Sequence, residues 1–174
     1  MRCVPFVAAL WFATAPVLAF EIEEIGRIQA TFDGETIVQP TVIARDGDEA
    51  SATAFLMYPG GGMSSFSLAG YSADNKRLGI EVSYMTEQLS LQSVPVALTI
   101  TYAPQGGRSH WTSEDAPIPP RITFSTLDVN GEQGRAIGSF TAVLCFAKDY
   151  EVGVDPAKCR PMEGSFETTF VVEN

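Results

Sequence analysis

The sequence predicts an all-β domain: an antiparallel sandwich of about eight to ten strands, with a barrel as the alternative. Three observations point there. Apolar residues recur with period two in several stretches beyond Phe20, no stretch there carries a convincing helical stripe, and turn-forming residues separate the stretches. Strands do not alternate with helices, which disfavours a parallel α/β sheet.

The first residues read as an address rather than part of the fold. Met1-Arg2 is a short positive start, and Cys3 to Phe20 carries no charge. Val4 to Phe12 is mostly apolar, Pro16 breaks the run, and Val17-Leu18-Ala19 presents small residues before an acidic switch at Glu21, Glu23 and Glu24. This is the layout of a secretory signal peptide, residues 1–19, cleaved after Ala19. The rival is an uncleaved anchor, since the run is roughly as long as a short membrane span. Residues 20–174 then form one domain, periplasmic or secreted, with no transmembrane segment after cleavage.

The elements follow in chain order. Gly26 to Asp33 places Ile28, Ala30 and Phe32 on one face, and Glu35 to Ala44 follows with a bulge or an edge at Pro40. Ala50 to Tyr58 and Ser64 to Tyr71 flank Pro59-Gly60-Gly61-Gly62, a hairpin loop. Leu78, Ile80, Val82 and Tyr84 alternate with Gly79, Glu81 and Ser83; Tyr84 to Leu91 has room for one or two helical turns. Val94 to Tyr102 alternates again, and Ala103 to Pro120 reads as a long loop. Arg121 to Val129 and Gly134 to Phe146 flank Asn130-Gly131, the strongest short hairpin signal in the chain. Phe166, Thr168, Phe170 and Val172 define the last strand, from Gly164. A weak echo links Gly26–Phe32, Gly134–Phe140 and Gly164-Ser165-Phe166; glycines starting strands and phenylalanines filling cores explain it without a duplication.

Of 3 Cys, the signal peptide removes Cys3 and leaves Cys145 and Cys159. An even pair in an oxidising compartment predicts a disulfide. It would close the polar loop Ala147–Lys158 and hold the last strand, with Cys145 on the face opposite Phe140 and Leu144. The spacing is too long for a zinc knuckle or a redox CxxC pair.

Composition then bounds function. The chain has 174 residues, 45% hydrophobic and 18% charged, with 11 Lys and Arg against 21 Asp and Glu for a net charge of -10. Losing Arg2 with the signal peptide takes this one unit more negative. No basic run exists, so phosphate-neutralising nucleic-acid binding is excluded. No cofactor motif is present, and no metal site is assigned. Asp46-Gly47-Asp48-Glu49 and the Asp128–Glu132 turn lack the EF-hand spacing for Ca²⁺, and Met57, Met63, Met85 and Met162 are too scattered for copper.

The candidate contact surface is Tyr102, Arg108, His110 and Trp111. His110 is the only His, and Trp111 is the only Trp left after cleavage. An exposed Trp beside Arg and His suits a sugar or a protein; the alternative is a Trp folded back on the core. Ser109, His110 and Asp115 spell a triad only on paper, without a G-x-S-x-G elbow, so no catalytic residue is assigned. The expected function is a non-enzymatic exported module that binds a protein or glycan of the cell envelope. The alternatives are a small hydrolase or lyase acting on envelope polysaccharide, and a carbohydrate- or Ca²⁺-binding module. N-terminal sequencing of exported protein is expected to start at Phe20; a start at Met1 restores the anchor.

Overall fold

The computed structural model describes residues 21–47 and 49–173, so residues 1–19, read above as a signal peptide, lie outside the described residues. The fold is all-β, and no described residue is helical. The strands are β1 (Glu21–Phe32), β2 (Glu35–Asp46), β3 (Glu49–Ala52), β4 (Ala54–Gly60), β5 (Met63–Ala69) and β6 (Arg77–Tyr84). They continue as β7 (Ala97–Ala103), β8 (His110–Thr112), β9 (Arg121–Asn130), β10 (Gln133–Ala147) and β11 (Asp155–Glu173). They form one sheet of 11 strands in the order β3-β2-β1-β11-β4-β5-β6-β7-β8-β10-β9, and β10 also pairs with β11. The ladders running from β11 through β4 to β8 and β10 therefore return to β11. One ladder departs from the expected antiparallel pattern: β4 pairs parallel to the end of β11, through Val171↔Phe55 and Val172↔Leu56.

Local chemistry sets the hairpins. Asp33 and Gly34 both have positive φ, 54° and 83°, which makes the β1–β2 connection a type I′ turn. The β9–β10 hairpin differs from the Asn-Gly expectation. Asn130 pairs with Gln133, so Gly131 and Glu132 are the central residues. Gly131 alone has positive φ, 63°, as in a type II′ turn. Pro40 sits on a stretch of β2 that β3 does not reach, because the β2–β3 ladder covers only Ile43 to Asp46.

Four expected boundaries move, each for a stated reason. Ala50–Tyr58 splits at Thr53, whose N–H and Oγ1 both bond Val42; the chain there leaves β2 and joins β5. The strand expected from Val94 starts at Ala97, because Pro95 has no N–H to pair and Val94 and Val96 face solvent, 79% and 56% exposed. The last strand starts at Asp155 rather than Gly164, because Cys159 lies directly opposite Cys145 and extends the ladder. The segment Ala103–Pro120 contains β8, which pairs with β7 and β10.

The core lies on the inner faces. Leu56, Phe66, Leu68, Leu78, Ile80, Ile100 and Leu144 are fully buried. Burying each such side chain stabilises by about 1.5–3 kcal/mol. Phe66 meets Phe124 and Phe170 edge-on, at 5.6 and 5.1 Å between centroids. Thr41 and Thr168 share a buried hydroxyl hydrogen bond of 2.7 Å. Among the described residues, every buried side-chain nitrogen or oxygen has a partner.

The β10–β11 ladder has a repeated design. Gly134 faces Phe170, Gly138 faces Phe166, and Phe140 faces Gly164. Each ring lies over the glycine opposite. A Cβ at Gly138 would sit 2.5 Å from Phe166 Cζ, and one at Gly164 would sit 2.5 Å from Phe140 Cζ. Two members of the sequence echo, Gly134–Phe140 and Gly164-Ser165-Phe166, take part in this cross-strand packing, whereas Gly26 faces Thr168 and Phe32 faces Met162. The disulfide joins Cys145 and Cys159, 14 residues apart. Cys145 lies on the face opposite Leu144, as expected, yet it is fully buried because Thr112 and Cys159 flank it on both sides.

Two outcomes check this account. Gly138→Ala should destabilise by about 1–3 kcal/mol in urea unfolding, and its effect should not add to that of Phe166→Leu, because both act on one contact. Replacing both Cys145 and Cys159 by Ala should lower stability by about 3 kcal/mol, the loop-closure value for such a span.

Candidate functional site

β5, β6 and β7 run side by side. Their large residues (Leu68, Leu78, Ile80, Ile100) point inward, so the alternate residues form the outer face. One row across that face is unusually small: Ala69 opposite Gly79, and Gly79 opposite Thr101. Nothing lies within 4 Å of the position a Gly79 Cβ would take. This row floors a cleft of about 630 Å³. Arg77 and Glu81, two residues either side of Gly79 on the same strand, supply its charged walls. Asn75 and the Gln105-Gly106-Gly107 turn form one rim, and Tyr150 stands at another. Gly106 and Gly107 both have positive φ, 65° and 76°, and a Cβ at Gly106 would sit 3.1 Å from Asn75 Cβ, so the turn needs glycine to lie this close.

Tyr150 is held in place. Its ring is 67% exposed and stacks on His110 at 4.3 Å and 20°. His110 is itself buried, with Nδ1 at 2.9 Å from the Arg108 carbonyl. A carbonyl only accepts, so Nδ1 carries the hydrogen. Arg108 donates to Asp149 at 2.8 Å and lies 3.5 Å from Glu151. Desolvation pushes the Asp149 carboxyl up, but the Glu151 N–H and the Arg108 guanidinium outweigh it, leaving the group below its ordinary value. Arg108 and His110 are thus positioning residues for the 149–151 turn.

The structure divides the four expected residues. Arg108 and His110 hold the 149–151 turn that brings Tyr150 to the outer cleft. Trp111 and Tyr102 turn the other way, as alternation along a strand requires. Trp111 is half-buried, with its ring edge-on to Phe32 at 5.2 Å and Phe146 at 5.5 Å. Tyr102 is buried beside Phe32, 5.4 Å between centroids, and burial pushes its phenol up. Of the two readings of Trp111, the structure shows the one folded back on the core: Trp111 belongs to a strand whose inner face meets the core. Tyr150, Gly79, Arg77 and Glu81 were not among the expected site residues. Gly79 had a signal, as the one glycine inside an otherwise bulky alternating strand. Tyr150 had none, because its neighbours come from β8.

Among the described residues, no three His, Cys, Asp or Glu side chains gather as metal ligands, and no helix is long and apolar enough to cross a membrane. No protein-family model, curated protein or solved structure matches this chain.

Trp111→Ala should lower stability by about 2–4 kcal/mol in denaturant unfolding, as for a large aromatic removed from a packed site. Arg108→Ala, an exposed ion-pair change, should lower it by less than about 1 kcal/mol.

Proposed function

We propose that the protein is an exported, non-enzymatic binding module that takes a saccharide unit of the cell envelope in the cleft beside Tyr150. The observation that carries this is one exposed tyrosine ring, fixed on buried His110, at the rim of a cleft floored by glycine. A pyranose has an apolar face that stacks on such a ring. Its hydroxyls both donate and accept, which suits a cleft walled by Arg77, Glu81, Asn75 and Gln105. The cleft volume of about 630 Å³ lies within the usual range for small-molecule sites.

Export is supported by the signal-peptide layout of residues 1–19 and by the Cys145–Cys159 disulfide, a bond typical of oxidising compartments. Binding is favoured over hydrolysis because Glu81 is the one carboxylate among the residues lining this cleft, whereas glycoside hydrolysis uses a pair.

The test is calorimetric titration with oligosaccharides released from bacterial envelope. A Cβ at Gly79 would meet nothing within 4 Å, so Gly79→Val adds bulk to the cleft floor, and β-branched residues suit strands. It should leave the unfolding midpoint unchanged or higher and abolish binding. Tyr150→Ala should weaken binding about tenfold or more, the loss of one stacking contact. Binding that survives Gly79→Val, or no binding to any envelope saccharide, overturns the proposal.

A further inference from the structure

We infer that a second cleft, of about 700 Å³ alongside β2, docks a cationic, extended segment of a partner polypeptide. It shares Gln105 with the first cleft but has different walls. Three observations converge on this occupant.

The first is an open strand edge. On the side of β2 away from β1, Val42 exchanges hydrogen bonds with Thr53, and the Pro40 carbonyl accepts from the Tyr71 N–H. By the two-residue period, the N–H and C=O of Val38 and Thr36 face the same way. Among the described residues no strand pairs with them, since the β2–β3 ladder begins at Ile43. Free main-chain groups in a row are satisfied by an added strand, which selects an extended polypeptide.

The second is apolar surface beside that edge. Val38 is 56% exposed, Ile22 39% and Tyr71 37%, and all three line the cleft. Alternate side chains of an added strand would cover them.

The third is charge. Glu24 and Glu35 line the cleft, and neither forms an ion pair among the described residues. Asp74, also in the lining, is paired with Lys76 at 2.8 Å. Three carboxylates against the single cation Lys76 leave the lining net negative beside an apolar strip, which matches lysine or arginine side chains on an otherwise apolar strand. The chain's net charge of -10 steers a cation toward it and repels a second copy of itself.

The probe is a short labelled peptide alternating lysine and valine, titrated into the protein and followed by anisotropy and amide NMR shifts. Saturable binding should shift Thr36, Val38 and Tyr71. A glutamate–valine peptide and a backbone N-methylated lysine–valine peptide should both fail to bind. The double variant Glu24→Gln/Glu35→Gln should weaken binding about tenfold. Gly79→Val should leave it unchanged, which separates this site from the saccharide cleft. No binding, shifts scattered over other acidic surface, or equal binding of the N-methylated peptide overturns the inference.

Discussion

β10 and β11 are paired from Gln133↔Val171 to Cys145↔Cys159, and β1, β4, β8 and β9 each pair with one or the other. What allows this long ladder to pack is the set of glycine–phenylalanine oppositions. Rings at Phe140, Phe166 and Phe170 occupy the space a Cβ would take at Gly164, Gly138 and Gly134. Phe166 then reaches Phe124, and Phe170 reaches Phe66 on β5. A Cβ at any of the three glycines would lift its ring and loosen contacts on both sides of the core. The disulfide closes the other end of the same ladder, where the chain turns through residues 148–154.

That turn links the scaffold to the outer cleft. Past Cys145↔Cys159 the ladder shifts register and closes at Phe146↔Asp155, and the segment that connects the two strands sets Tyr150 on His110. Asp149 and Glu151 flank Arg108 from the same segment. The cleft floor depends on a different feature, the small residue at Gly79 in a strand whose inner residues are all large. Removing that side chain does nothing for the core and creates space on the outer face. A glycine that weakens a strand without helping it pack is more readily understood as making room.

The strand pattern was legible in the sequence because alternation is a local property. Leu78-Gly79-Ile80-Glu81 and Gly134 to Phe146 declare their faces without reference to partners. The disulfide was legible for a related reason: two cysteines in an oxidised chain leave one pairing. Strand limits were less so. β8 is three residues long and carries no period of its own; it exists because β7 and β10 flank it. The same placement decided the fate of Trp111. In a loop it would be a contact residue; in β8 it packs against Phe32 and Phe146.

The sequence by itself determined the class of fold and the inward faces of the main strands, which rest on spacing along the chain, and the cysteine pair, which rests on count. Only the tertiary structure decided the parallel pairing of β4 with the end of β11, the burial of Tyr102 and His110, and the meeting of Tyr150 with the Gly79 cleft. Those depend on residues far apart in the chain becoming neighbours. Hydrophobic alternation tells a side chain which face to take, but ladder order tells it what it will face there.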